Sequence, residues 1–283
     1  MSAATSPRWH TCRFKASHNS YDRDEDLHEQ LRFDPAQPWQ GGCRGLELDI
    51  WRHSDASHGT SLGYFTVAHS TPGTIPLANH LGHLLSYHAN EPRHDPVLVT
   101  LDIKSSGGSA APFPAEIDAY LGEWFDRALV FRPSDLRGRA RRASLIEVVR
   151  ASGWPTIDAL RGRFVFVLSG TEAWKRRYAQ TTTAASLCFA DADVDDDRAY
   201  DVLAPRLPSD RVFLNMHLWS AHFAVWKESV PRLRVDGYVV RGYELNSSAI
   251  WGKAIAAGVN ALATNMVRGR TWAHVGATPF VPI

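Results

Sequence analysis

The chain has 283 residues, enough to build one large α/β barrel with a substantial core. Its 31 basic and 30 acidic residues leave a formal charge of +1, which excludes a nucleic-acid surface built on bulk positive charge. Three scattered cysteines, Cys12, Cys43 and Cys188, exclude a disulfide ladder, and no run approaches the roughly 20 apolar residues of a membrane helix.

The opening MSAATSPRWHTCRF lacks the charged start and apolar run of a secretory signal, so a cytoplasmic location is expected, with secretion the alternative if the chain is trimmed. Strand-like runs follow in order. They are RFKAS (13–17), GLELDIW (45–51), YFTVAH (64–69), PVLVTLDI (96–103), RFVFVLS (163–169), SLCFA (186–190), RVFLNM (211–216), GYVVRGY (237–243) and NALATNMV (260–267). Helix-length amphipathic stretches lie between many of them: LANHLGHLLSYHANE (77–91), AEIDAYLGEWFDRAL (115–129) and SSAIWGKAIAAG (247–258). The last opens on a capping Ser and closes at Gly258. Strands dense in Val, Ile, Leu and Phe alternating with helices imply a parallel sheet covered on both faces. Eight or nine of them fit a TIM-type (β/α)8 barrel, read as a single domain over residues 1–283. A doubly wound open sheet competes, but no Gly-rich turn follows the first strand. The Gly/Ser/Pro-rich segment SSGGSAAPFP (105–114) follows a strand, where a barrel keeps its functional loops, and reads equally as a surface connection.

Within GLELDIW, residues two apart point the same way, so Glu47 and Asp49 share one face and Leu46, Leu48 and Ile50 the other. Two carboxylates on one side of a barrel strand repel each other unless a cation or strong donors meet them. Asn19, just past the first strand, and Asp102, near the end of PVLVTLDIK, add oxygen donors at other strand ends. An all-oxygen set of Asn19, Glu47, Asp49 and Asp102 suits a hard cation, Ca2+ first and Mg2+ second. His18 precedes Asn19, and His69 terminates an apolar strand. A metal with two imidazoles provides the base, the acid and the positive charge that phosphodiester cleavage requires.

The blocks ASHNSY, GCRGLELDIW, FTVAHS and DPVLVTLDIK, in that order over residues 16–104, resemble the calcium-dependent phosphatidylinositol-specific phospholipases C, in particular their bacterial branch. WPTIDALRGRFVFVLSG (154–170) and GYVVRGYELNS (237–247) extend the resemblance more weakly. It implies a metal-dependent phosphodiesterase working by intramolecular hydroxyl attack. His18 would stabilise the pentavalent phosphorus, His69 would protonate the departing alkoxide, and Asn19, Glu47, Asp49 and Asp102 would hold calcium. Glu47 would also take the proton from the attacking ring hydroxyl, Arg241 and Tyr243 would meet the cyclitol, and Lys104 would contact phosphate. Asn265 stands where the bacterial branch usually has an acid, and Ser70 where Gly often follows the second histidine. The expected partner is a phosphoinositide or a soluble analogue, with at most transient contact with a membrane surface. Three other readings stay open: a cytoplasmic enzyme on a soluble metabolite, a glycerophosphodiesterase or sphingomyelinase D type of barrel, and a non-catalytic inositol-phosphate binder.

Three further features are set apart from the site. DADVDDD (191–197) reads as a solvated acidic turn, and KRRY (175–178) as a basic helix end facing water. Trp219 and Trp226, seven residues apart, read as one buried helix face.

Overall fold

The computed structural model describes residues 6–53, 65–105, 109–140 and 142–283. Their strands, in chain order, are β1 (Cys12–Ser17), β2 (Gly45–Arg52), β3 (Phe65–Val67), β4 (Ile75–Pro76), β5 (Val97–Ile103), β6 (Phe164–Gly170), β7 (Cys188–Asp193), β8 (Phe213–His217), β9 (Val239–Tyr243), β10 (Ala261–Thr264) and β11 (Phe280–Pro282). The helices are α1 (Leu27–Leu31), α2 (Leu77–Asn90), α3 (Phe113–Trp124), α4 (Pro133–Arg137), α5 (Leu145–Ser152), α6 (Glu172–Thr181), α7 (Tyr200–Leu203), α8 (Phe223–Val235) and α9 (Ser248–Ala257).

Eight of the strands run parallel in the order β1-β10-β9-β8-β7-β6-β5-β2, and the pairing of Ala16 with Gly45 returns β2 to β1 and closes the barrel. The (β/α)8 expectation is met. Closure depends on Gly45, because a Cβ there would come within 2.6 Å of the Ala16 Cβ. The stretch 64–69 departs from expectation. Its β3 pairs antiparallel with the end of β2, Ile50 opposite Val67 and Arg52 opposite Phe65, and lies outside the parallel set. Three residues are too short for a barrel stave, and the hairpin returns the chain over the mouth. Tyr64, His58 and residues 106–108 of the Gly/Ser-rich segment lie outside the described residues.

The two-residue period assigns an inward series to every stave. Phe14, Gly45, Leu98, Val165, Phe189, Phe213, Val239 and Ala261 lie toward the N-terminal ends. Further along the same faces come Glu47 and Asp49, Thr100 and Asp102, Ser169, Asp191 and Asp193, Asn215 and His217, and Arg241 and Tyr243. The floor is aromatic: Phe189 lies 5.2 Å from Phe213 between ring centres, Trp9 5.8 Å from Phe213, and Trp154 5.4 Å from Trp9. Burial of these rings stabilises the fold by roughly 2–3 kcal/mol each and keeps water out from below. The polar groups are thereby gathered at the C-terminal mouth, where loops are free to vary.

Between the staves, local signals act as read. Ser247 accepts a hydrogen bond from the Ile250 amide at the start of α9, and Gly258 ends it in a left-handed conformation at φ 79°. The three cysteines are buried free thiols. All three features set apart are, in part, built differently. Lys175 is fully buried, 2.7 Å from Asp191 and 2.5 Å from Asp193, so only part of the basic stretch, Arg176 and Arg177, and part of the acidic turn face water. Trp219 lies before α8 and is 56% exposed, while Trp226 in α8 is buried, so the pair does not share a helix face.

Candidate active site

The site is assembled at the mouth from β2, β5 and β9 and the segments that follow β1, β3 and β5. Asp49 and Asp102 are register partners on neighbouring strands, and Glu47 stands two residues before Asp49 on the same face. One oxygen from each of the three carboxylates lies within 4.8 Å of the others. Two ligands at about 2.4 Å from one calcium ion are at most about 4.8 Å apart, so the spacing fits a single ion.

The use of individual oxygens strengthens that fit. Asp49 Oδ2 accepts from the Tyr21 hydroxyl at 3.0 Å and lies 2.9 Å from His69 Nδ1 and 3.1 Å from Lys104 Nζ. Asp102 Oδ2 takes Lys104 Nζ at 3.0 Å. In both residues Oδ1 is buried with no hydrogen-bond partner among the described residues. A buried bare carboxylate oxygen carries a desolvation penalty that a cation removes. Gly170 stands directly against this position, since a Cβ there would collide with Asp102 Oδ1. Its φ of 80° also favours glycine.

Glu47 is 3% exposed and its side-chain partners among the described residues meet Oε2: the Asn19 amide at 2.9 Å, Arg241 Nη2 at 2.9 Å and His18 Nε2 at 3.7 Å. The Arg241 contact is an ion pair without hydrogen-bond alignment. Burial alone would push the Glu47 carboxyl up, but Arg241, His18, the Asn19 amide and Lys104 together hold it below the ordinary carboxylate range. Asp102 goes the other way. Its burial outweighs Lys104, and Glu47 and Asp49 add repulsion, so its carboxyl is raised. Lys104 is raised as well, because Asp102 and Asp49 outweigh its desolvation. Three carboxylates against Lys104 and Arg241 leave a formal excess of one negative charge, which a divalent cation would reverse.

Asn19 follows His18 in a left-handed conformation at φ 48°, which Asn tolerates better than most residues and which points its amide at Glu47. His18 Nδ1 lies 2.8 Å from Asn265 Oδ1. Asn265 is itself held through its amide by Asn246 Oδ1 at 2.7 Å, and Asn246 also accepts from Thr264. His69 reaches the site from the β3 hairpin. The Ala68 amide donates to the Asp49 carbonyl at 3.0 Å, and the His69 side chain, 61% exposed, faces the mouth.

On the other side, Arg241 Nη1 donates to Asn215 Oδ1 at 2.6 Å and its guanidinium lies 5.2 Å from the Tyr243 ring centre. Tyr243 stacks on His217 at 4.9 Å and on His18 at 5.8 Å, and Trp219 lies against His217 at 4.4 Å. Beyond these rings opens a cavity of about 460 Å³ lined by Asp193, Asp195, Asp197, His217, Trp219 and Tyr243, with no Lys or Arg among the described residues of its wall. A larger cavity of about 720 Å³ belongs to the opposite end, around Arg44, Asp95 and Arg161, where Asp95 pairs with both arginines.

All the residues singled out from the sequence thus meet at one mouth: His18, Asn19, Glu47, Asp49, His69, Asp102, Lys104, Arg241 and Tyr243. Tyr21 and Asn215 were missed, and Asn265 was noted only as a departure. The two-residue step that singled out Glu47 and Asp49 also runs through Phe213, Asn215 and His217. Tyr21 carries no such signal, because it lies in the turn after Asn19.

Residues 68–202 match the family model for phosphoinositide phospholipase C, Ca2+-dependent. The match includes His69, Asp102 and Lys104 and stops short of His18, Glu47 and Arg241. No curated protein matches the chain. A calcium-dependent phosphoinositol-specific phospholipase C from Pseudomonas sp. superposes with a TM-score of 0.75 at 19% identity, covering 100% of this chain and 98% of that one. The Pseudomonas myo-inositol complex gives 0.75 at 19%, with coverage of 98% and 96%. A Ca2+-dependent phosphatidylinositol-specific phospholipase C from Streptomyces antibioticus gives 0.71 at 20%, with coverage of 98% and 99%. At these identities the superpositions establish a common fold. Residues 68–202 thus resemble the Ca2+-dependent phosphoinositide phospholipase C family, and the chain as a whole shares the barrel fold of these structures.

Proposed function

We propose that the chain cleaves a phosphoinositide or a soluble phosphoinositol diester by attack of a neighbouring ring hydroxyl, releasing an alcohol and a cyclic phosphate. The observation that carries this reading is the pair of bare, buried oxygens on Asp49 and Asp102 beside Glu47, flanked by His18 and His69. Calcium held by Glu47, Asp49, Asp102 and Asn19 would supply positive charge to the phosphoryl oxygens. Mg2+, the second choice from the sequence, finds no support.

The chain's own residues divide the remaining work. His18 stands between Glu47 and Tyr243, where, as an imidazolium with Nδ1–H on Asn265, its Nε2–H would donate to a phosphoryl oxygen as negative charge builds. Glu47, kept as a carboxylate by Arg241, is the candidate acceptor for the hydroxyl proton. His69 is open to solvent on one side and anchored by Asp49 on the other, which suits protonation of a leaving alkoxide. Arg241 orients ring hydroxyls from the far side, and Lys104 balances the acidic cluster next to the phosphate position.

Phosphorus NMR of phosphatidylinositol vesicles and of a water-soluble glycerophosphoinositol diester, each with calcium and with excess chelator, tests the reading. The expected result is a cyclic phosphate signal that chelation abolishes. Turnover that survives chelation, or an acyclic phosphomonoester as the first product, would overturn it.

A further inference from the structure

We propose that Asn215 is a positioning residue that holds the Arg241 guanidinium against Glu47, an inference that rests on the active-site reading above. Asp193, Asn215 and Arg241 are successive register partners on β7, β8 and β9 and form one layer of the barrel mouth. Asn215 joins them. Its Oδ1 accepts from Arg241 Nη1 at 2.6 Å, and its Nδ2 donates to Asp193 Oδ1 at 3.1 Å and lies 3.4 Å from Ser169 Oγ.

The chemistry of its neighbours sets the direction of this amide. A guanidinium has only donors and a carboxylate only acceptors, so the oxygen must face Arg241 and the nitrogen Asp193. A continuous chain then runs from the buried Lys175 through Asp193 and Asn215 to Arg241 and Glu47. Each end of it is an ion pair, and Asn215 connects them without adding charge.

Neither obvious replacement does this. Aspartate at 215 would set a second carboxylate about 3 Å from Asp193, where like charges strongly disfavour joint ionisation. Leucine would leave the buried Arg241 Nη1 without its partner, while the half-exposed Asp193 Oδ1 would turn to water. Arg241 is 6% exposed, so its orientation is decided by protein groups rather than by water. Of those groups, Asn215 provides the shortest contact.

Position 215 acts on the reaction only through Arg241, and a double-mutant cycle reads that directly. Asn215→Leu and Arg241→Ala are each expected to lower kcat/KM by roughly tenfold or more, and the double variant to be no worse than Arg241→Ala alone. Asn215→Ser, whose hydroxyl both donates and accepts, should recover part of the loss. A readout independent of turnover accompanies the cycle: the Arg241 side-chain NH resonances are expected to exchange slowly in the wild type and to lose protection in Asn215→Leu, while the melting temperature shows the variant folded. Additive effects, or unchanged Arg241 protection, would overturn the proposal even in an enzyme that turns over phosphatidylinositol. Absence of wild-type turnover with intact Arg241 protection would instead count against the functional reading and leave the positioning contact supported. Should Asn215→Leu fail to fold, Asn215→Ser carries the same cycle.

Discussion

His18 Nδ1 lies 2.8 Å from Asn265 Oδ1, and this contact decides which imidazole nitrogen faces the reaction. An amide oxygen accepts, so Nδ1 carries the hydrogen and Nε2 is the nitrogen turned to Glu47. Asn246 fixes Asn265 in turn, so the ring is held from behind by a two-residue relay. Asn265→Ala should lower kcat by roughly 10- to 100-fold with little change in KM, by analogy with the loss of partners that orient other histidine ligands. Steady-state kinetics at saturating calcium decide it, and an unchanged kcat would refute the relay.

The two histidines should differ in what they cost. His18→Ala and His69→Ala are each expected to reduce turnover by roughly 10²- to 10⁴-fold, the usual range for acid-base groups. A substrate with a good leaving group, such as a nitrophenyl ester, does not need a proton donated to it. It should therefore recover most of the loss in His69→Ala and little of that in His18→Ala. Equal recovery in both would mean that the roles are misassigned.

Removal of one oxygen donor isolates the metal site from the chemistry. Asp102→Asn keeps the shape against Gly170 but takes away a charge, and calorimetric calcium affinity should fall by roughly tenfold or more. The wild-type protein should also melt at a higher temperature when calcium is added, through binding linkage. Affinity unchanged in Asp102→Asn would place the ion elsewhere.

Selection of the head group follows from the wall beyond Tyr243. Asp193, Asp195 and Asp197 line that cavity and no Lys or Arg among the described residues does, so further phosphates on the ring would meet like charge. Turnover should fall with each added ring phosphate. Asp195→Lys together with Asp197→Lys should raise the relative rate on the phosphorylated substrates, most visibly at low ionic strength. A wild-type enzyme indifferent to ring phosphates would contradict this.

His80 offers a pH test of stability away from the site. Burial, with a smaller contribution from His83, lowers its pKa from 6.5 to about 4. The folded state therefore prefers the neutral ring more than the unfolded chain does. Stability from this residue is present above about pH 6.5 and is lost as pH falls toward 4. His80→Leu should flatten that fall by about 1 kcal/mol between pH 7 and 5, after allowance for partial exposure, in urea melts at each pH. An identical slope in both proteins would dismiss His80 as the source.

The sequence by itself determined the alternation of strands and helices, because side-chain period and capping are local properties. Ser247 and Gly258 act where they stand in the chain. It also determined the oxygen-and-imidazole set, since Glu47 and Asp49 two apart on an apolar strand require an explanation wherever that strand goes. Only the tertiary structure decided which oxygens remain bare, because that depends on Lys104, Tyr21 and His69 arriving from separate segments to take Oδ2 and leave Oδ1. The same holds for the β3 hairpin. A short apolar run has the same pattern whether it becomes a stave or folds back antiparallel, and pairing with the end of β2 settles the matter. Asn215 and Lys175 stayed hidden for a related reason. A neutral amide and a lysine are ordinary residues in a linear chain, and they acquire a role only when barrel closure sets a guanidinium and three carboxylates around them.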